Sequence, residues 1–414
     1  MRSRPGAGPN QLSRRSTSPR AAVHQPRAWR VVRPRVAAGI GLLALALIGC
    51  AENAEQTEIE EPLRVMDYLE PVGRYAIVAD RLWDLTLWVA IAIFVFVQGM
   101  IVVALLRFRE RDDGGPSPKQ IHGNPRLEAL WTVVPALILA GVAFPTVRTI
   151  FYLARPVEGA LEINVTGHQW WWEYEYLQHE GLTTANIMHI PTGQEVVLRM
   201  TSADVIHSFW VPKLAGKQDV IPGRTTMLKL YTDEPGEYYG ACGEFCGLSH
   251  ANMRLHVIAH DPAEFTRWAQ AHAEPVDTAA VTGQVAAGKA LFVTKECVGC
   301  HTIRGFQLSG DDPEDVSALR RLGEDQESID QLLEGGPIEA TATVGPDLTY
   351  FSDRGWFAGA IFANTDENLR DWLEDPPAMK PMDWEQGRGM PPLGLQPDEI
   401  DALVAFLRTL TVQR

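Results

Sequence analysis

The sequence predicts a multidomain chain: a two-helix transmembrane hairpin, then an antiparallel β-sandwich or barrel, then an all-α domain. Three observations predict it. Two apolar segments, Trp83 to Leu106 and Leu130 to Tyr152, are each long enough to cross a bilayer. From about Leu161 the hydrophobic period shortens to two for roughly 100 residues. From Gly283 onward it lengthens again to the period of helices.

The first element is a leader. Nine arginines and no Asp or Glu precede Cys50, and Val36 to Gly49 is an apolar run too short to span. A basic stretch before a short apolar run is a signal-peptide pattern, here over residues 1–49. The run ends Leu47-Ile48-Gly49-Cys50, which resembles a bacterial lipoprotein processing box. Cys50 is then expected to carry lipid at the start of an exported segment, 50–79. The competing reading is ordinary cleavage or an uncleaved anchor, with Cys50 incidental.

The hairpin occupies residues 80–155. Its first segment has one charge, Asp84, and as a helix would be about 36 Å long. The second contains Pro135 and Pro145, which membrane helices tolerate. The loop between them carries Arg107, Arg109, Arg111, Lys119 and Arg126, which directs it to the cytoplasm and both hairpin ends outward. The competing reading, two buried helices of a soluble protein, fits this length and purity poorly.

The sandwich is expected over 156–262. Leu161, Ile163 and Val165 alternate with polar residues, as do Met253, Leu255 and Val257. Pro191-Thr192-Gly193, Pro222-Gly223 and Pro235-Gly236 punctuate it with turns. Residues 263–282 read as a linker, a short helix followed by an Ala/Pro/Thr stretch. In 283–414 helices are expected at Gly283 to Thr294, Asn364 to Leu373 and Pro397 to Leu410. The acidic stretch 308–343 reads as a surface insertion.

Charge narrows the partners. From Cys50 on, the other 28 of the 37 basic residues face all 52 acidic ones, a balance of −24. That argues against nucleic acid and favours a basic protein partner, chiefly through association rate. The five cysteines, Cys50, Cys242, Cys246, Cys297 and Cys300, are odd in number and closely paired, which points to metal or haem ahead of a disulfide framework.

Residues 242–253 read Cys-Gly-Glu-Phe-Cys-Gly-Leu-Ser-His-Ala-Asn-Met. Two thiols, an imidazole and a thioether within twelve residues form a soft donor set that suits copper. A further imidazole must come from elsewhere, and His207 in His-Ser-Phe-Trp-Val-Pro is the candidate. A Cys242–Cys246 disulfide would leave His207, His250 and Met253 unexplained. Zinc is the other competitor, and Met is an unusual zinc ligand.

This segment resembles the CuA loop of cytochrome oxidase subunit II, C-x-E-x-C-x-x-x-H-x-x-M. The resemblance implies a cupredoxin-like domain with a binuclear copper site. Cys242 and Cys246 would bridge two coppers, His207 and His250 would be terminal ligands, and Met253 and the Glu244 carbonyl would be weak ones. It also implies that the Glu244 side chain reaches a magnesium shared with subunit I. His122-Gly123-Asn124 followed by Glu128-Ala129-Leu130-Trp131-Thr132 is similar to the family's second-helix start, where the Glu stands at the mouth of a proton path. Glu128 takes that role by position, against the plainer reading of a charge marking a helix end. Gly167-His168-Gln169-Trp170-Trp171-Trp172-Glu173-Tyr174 resembles the aromatic band beside CuA, which makes Trp170 the point where electrons enter. An exposed aromatic there would suit a transient interface, whereas Trp172 reads as core. Asp219 to Arg224 is a further family marker.

Cys297-Val298-Gly299-Cys300-His301 is a haem c attachment motif, with His301 placed to bind iron. The second axial ligand is expected to be a methionine. Met379, Met382 and Met390 are available, and Gly389-Met390-Pro391-Pro392 looks most like the family stretch, so Met390 is chosen over Met382. Gly345-Pro346-Asp347-Leu348 looks like the loop whose Pro carbonyl orients the ligand His, a role that falls to Pro346.

Together the segments resemble a caa-type subunit II with a fused C-terminal cytochrome c domain. The resemblance implies an electron-input subunit, with oxygen reduced to water and protons pumped in subunit I. Electrons would pass from a soluble or membrane-bound cytochrome c-type donor to haem c, CuA and haem a. Subunits I and III and the bacterial inner membrane are the expected surroundings, with both redox domains on the outer side. The competing functions are the CuA-bearing input subunit of a nitric-oxide reductase and a membrane-tethered free electron carrier. Glu128 and its neighbours favour the oxidase.

Overall fold

A computed structural model describes residues 66, 69–109 and 119–412. The expected signal peptide, Cys50 and Arg111 lie outside the described residues.

The hairpin consists of α1 (Arg74–Arg107) and α2 (Pro125–Ala154). Both run past the apolar segments, because each has an end with a polar task. At the start of α2, Asn124 accepts hydrogen bonds through its side chain from the Arg126 and Leu127 amides, and Pro125 occupies the first turn. At the start of α1, the Val72 and Gly73 amides donate to the Lys213 carbonyl, and the Tyr75 hydroxyl donates to Glu195 at 2.7 Å. A Cβ on Gly73 would lie 2.3 Å from the Leu214 carbonyl oxygen, so only glycine lets α1 root on the next domain. Beyond that root the helices are uncovered and apolar on all sides, with Trp88, Phe94, Leu137 and Phe144 exposed. That surface suits lipid rather than water.

Ten strands follow: β1 (Leu161–His168), β2 (Trp171–Tyr176), β3 (Thr183–Ala185), β4 (Ile187–Pro191), β5 (Val196–Ser202), β6 (His207–Trp210), β7 (Gln218–Val220), β8 (Thr226–Leu230), β9 (Gly236–Cys242) and β10 (Arg254–His260). They form two five-stranded sheets, ordered β3-β2-β1-β5-β8 and β4-β10-β9-β6-β7. The alternation in β1 does what its period implies: Leu161, Ile163 and Val165 face the core while their neighbours stay half-buried. The sandwich is not purely antiparallel. β1 pairs parallel with β5, and β10 pairs parallel with β4. The chain crosses between sheets before returning, so partners distant in sequence meet in the same direction, which local periodicity does not encode.

The expected linker divides in two. α3 (Pro262–Ala273) is a docked helix whose Phe265 and Ala269 join the sandwich core. The remainder is tied down as well, since the Val276 amide donates to the Arg304 carbonyl.

The C-terminal domain has its own core, built where α4 (Gly283–Thr294) crosses α9 (Pro397–Leu407). A Cβ on Gly288 would sit 2.0 Å from the Ala402 carbonyl oxygen, so the crossing needs glycine. Phe292, Phe306 and Phe406 pack around it with tilted or edge-on rings. Between these helices come β11 (Thr302–Leu308), α5 (Pro313–Arg321), α6 (Gln326–Leu332), β12 (Ile338–Thr341), β13 (Trp356–Phe357), β14 (Phe362–Ala363), α7 (Asp366–Glu374) and α8 (Pro376–Met379). The region 308–343 is therefore not confined to the surface. β11 and β12 pair, and α5 and α6 bury Ala318, Leu319 and Ile329 in the domain core. The acidic residues are in part helix caps: the Asp312 and Asp325 side chains accept from the Glu314 and Ser328 amides. Asp315 is fully buried and paired with Lys289 of α4 at 2.8 Å.

Candidate metal centre

The copper-type residues sit at one end of the sandwich. β9 ends at Cys242 and β10 begins at Arg254, and the Cys242 amide donates to the Met253 carbonyl to close the base of the loop between them. β6 runs antiparallel beside β9, pairing Phe209 with Cys242, and delivers His207 from its first position. The loop must bend sharply to bring Cys246 back over Cys242. Gly247 makes this bend at φ +112°, and a Cβ there would lie 2.9 Å from the Gln169 amide nitrogen.

The six sequence-predicted positions converge. The two sulfurs are 3.8 Å apart, too far for a disulfide, whose S–S bond is about 2.05 Å. His207 Nδ1 lies 3.9 Å from Cys242 Sγ, and His250 Nδ1 lies 3.6 Å from Cys246 Sγ. Met253 Sδ is 3.7 Å from Cys246 Sγ, and the Glu244 carbonyl oxygen is 3.1 Å from Cys242 Sγ. His207, Cys242, Cys246 and Met253 are buried. One imidazole beside each sulfur, with a thioether beside Cys246 and a carbonyl beside Cys242, fits two soft metal ions sharing two thiolates. The donor set fits a copper pair better than a single tetrahedral zinc, which would leave the thioether and carbonyl unused.

Electrostatics prepares the ligands. His207 Nε2 is bonded to Asp204 Oδ1 at 2.8 Å, leaving Nδ1 free to face the sulfurs. Burial opposes charge on His207, but the Asp204 carboxylate and the Cys242 sulfur together outweigh it and hold the imidazole above its ordinary value. Hydrogen bonding within the sulfur pair pulls Cys242 down to about 4 and pushes Cys246 up. Without metal the pair thus keeps one proton, which must leave when both thiolates bind. Asp204 escaped the sequence reading, as did Gln169, whose amide donates to the Cys246 carbonyl at 2.7 Å. The only signal was proximity: Asp204 lies one helical turn's worth of residues before His207, yet in a loop.

Trp170 lies against this centre. Its indole nitrogen donates to the Cys246 carbonyl at 3.0 Å, and Trp172 is fully buried beside His207. Contrary to the expectation of an exposed aromatic, Trp170 is only 3% exposed. It belongs to the sandwich core, and its backbone carbonyl accepts from the Lys380 amine of the C-terminal domain at 2.7 Å. Glu244, Phe245 and Leu248 on the outer face of the loop are exposed.

The haem-type residues are built on the end of α4. After Thr294 the chain turns through Glu296 in the left-handed region into a short 3-10 turn, Cys297–Gly299. The His301 amide donates to the Cys297 carbonyl, and the Gly345 amide to the Cys300 carbonyl. His301 Nδ1 is 2.8 Å from the Pro346 carbonyl oxygen, so it donates there and Nε2 remains for iron. A Cβ on Gly345 would come within 2.7 Å of the His301 ring, which rests flat on this backbone. Burial lowers His301, favouring the neutral ligand form. The two candidate methionines part company: Met390 packs against the C-terminal core, Met382 against the sandwich core.

Glu128 is far from both centres in sequence and role. It is exposed, and its carboxylate accepts from the Asn124 amide at 3.2 Å, completing a reciprocal cap on α2.

Known proteins match most of this chain. Residues 76–149 match the family described as cytochrome C oxidase subunit II, transmembrane domain, and residues 178–260 match its periplasmic domain. Residues 285–411 match cytochrome c. The chain is 32% identical over 384 residues to cytochrome c oxidase subunit 2 of Alkalihalophilus pseudofirmus, covering 90% of this chain and 96% of that one. It is 31% identical over 393 residues to cytochrome c oxidase subunit 2 of Bacillus subtilis, covering 90% and 97%. Among solved structures, the periplasmic domain of subunit II of cytochrome oxidase of Bradyrhizobium japonicum is 30% identical over 28% of this chain and 95% of that one, with a TM-score of 0.27.

Proposed function

The chain belongs to the cytochrome c oxidase subunit II family, and on that premise we propose which of its residues hold the redox groups and meet the partners. It is an electron-input subunit of a haem–copper terminal oxidase, a membrane protein with a periplasmic domain, carrying CuA copper and haem c.

When bound, the copper pair and the haem each accept and pass on single electrons. Cys242, Cys246, His207 and His250 would hold the coppers, with Met253 and the Glu244 carbonyl as weaker donors. Two shared thiolates would spread the changing charge, and the buried His207, Cys242, Cys246 and Met253 have little room to rearrange. Asp204 holds His207 in its ligating tautomer. Cys297 and Cys300 would hold the haem covalently, His301 and Met390 would supply the ligands to its iron, and the Pro346 carbonyl orients His301. Trp170 links the C-terminal domain to the Cys246 backbone. The observation that carries this reading is the convergence of two thiols 3.8 Å apart with an imidazole beside each.

The exposed face of the loop, with Glu244, Phe245 and Leu248, is assigned to subunit I, and the Glu244 carboxylate to a magnesium shared with it. Glu128 stands at the entrance of a proton path into subunit I, in addition to its capping bond. Subunit III and the bacterial inner membrane complete the setting, with Cys50 as the lipid anchor. The donor is a cytochrome c-type protein, basic by complementarity to the acidic mature chain.

The experiment is co-purification of the complex with metal and haem analysis. Two coppers and one covalent haem per subunit, with the near-infrared absorption of CuA, are expected. A preparation containing zinc, or a single copper, would overturn the ligand assignment. A second measurement separates the methionines. Met390→Ala should lower the haem midpoint potential, because a thioether ligand raises it. Met382→Ala should leave it in place, and the reverse outcome would exchange their roles.

A further inference from the structure

Resting on the relay reading above, we infer that Lys380 is a positioning residue: it latches the haem domain onto Trp170 and turns this tryptophan into an internal contact closed to outside donors.

Lys380 is 4% exposed, and its two hydrogen bonds both go to backbone carbonyls. One is Trp170, at 2.7 Å, in the copper domain; the other is Ala358, at 3.1 Å, in its own domain. Burying a lysine on carbonyls alone is costly, so its placement needs a reason. The amine supplies one. It carries the N–H groups that two carbonyls on different domains require. The Trp170 carbonyl that it holds belongs to the residue whose indole donates to the Cys246 carbonyl, so two hydrogen bonds connect the haem domain to the copper loop.

The residues around Lys380 are shaped for this contact. The Ser249 hydroxyl, next to His250, donates to the Pro381 carbonyl. Met382 packs on the sandwich core. Gly359 adopts φ +88°, and a Cβ there would lie 2.8 Å from both the Lys380 amine and the Asn252 carbonyl oxygen. A bare backbone at 359 is what lets the haem domain close over the loop. The domains are also joined elsewhere, where the Arg304 guanidinium donates to the His272 and Ala273 carbonyls. Loss of the latch should therefore misalign the haem domain without releasing it.

The test uses the complete oxidase. Haem c is photoreduced by a ruthenium complex, and electron arrival at CuA is followed in the near infrared. Lys380→Met removes both donors and strands two carbonyls, so the haem domain should lose its register on the copper loop. The transfer should slow severalfold, with haem and CuA spectra and midpoint potentials unchanged. Lys380→Gln, which keeps an amide donor, should fall between. If Lys380→Met does not load its cofactors, Lys380→Gln alone decides: slowed transfer supports the latch, and the wild-type rate overturns it. Wild-type transfer in Lys380→Met overturns it as well. A wild-type complex whose photoreduced haem fails to reduce CuA overturns the relay reading, and the latch with it.

Discussion

Cys246→Ser is expected to abolish the copper centre while leaving the haem in place. The substitution changes one atom, at a site only 2% exposed, so packing is nearly preserved. What changes is chemistry: a hydroxyl is a hard and weakly acidic donor where a soft bridging thiolate is needed. Altering a neighbour hydrogen-bonded to a ligand typically costs ~10–100-fold in affinity or activity, so removing a bridging ligand should cost more than about 100-fold. Copper content and the near-infrared band should fall together, and oxygen uptake with an external donor should collapse. The haem spectrum should persist, because the haem motif is built on a separate core. Retention of two coppers with an unchanged band would remove Cys246 from the ligand set.

Lys289→Met should be the most damaging substitution outside the redox sites. Lys289 and Asp315 are both about 1% exposed and form an ion pair at 2.8 Å, and Asp315 also accepts from the Ser309 amide. Removing the lysine leaves a buried carboxylate with one amide donor. Breaking such a pair costs about 3–5 kcal/mol, a large share of the ~5–15 kcal/mol that holds a domain together. Thermal unfolding followed by haem absorbance should shift down by on the order of 10–20 °C. Lys289→Met combined with Asp315→Leu should recover much of the loss, since an apolar pair needs no charge compensation. An unchanged Tm in Lys289→Met would mean that α5 is not anchored through this pair.

These two predictions differ in where they could be seen. Cys242, Cys246, His250 and Met253 were legible because they share one loop, and spacing within a loop survives in the linear order. The same holds for Cys297, Cys300 and His301. His207 needed a family pattern, being 35 residues from Cys242. Asp315 could not be read at all. It lies in an acidic stretch, and composition assigns such stretches to the surface. Only its contact with a lysine 26 residues earlier explains why it is inside. The parallel strand pairs were hidden for the same reason, since period two reports which face a residue takes and not which strand lies beside it.

The sequence by itself determined the membrane hairpin, the sandwich, the helical C-terminal domain and the soft-metal and haem chemistry. Each depends on composition, periodicity or donors a few residues apart. The tertiary structure alone decided that Asp204 bonds to His207, that 308–343 contributes residues to a core, and that the Trp170 carbonyl accepts from Lys380. Trp170 is buried where an exposed aromatic was expected. Burial and domain docking are sums over residues hundreds of positions apart, such as Trp170 and Lys380. No local pattern records that they touch.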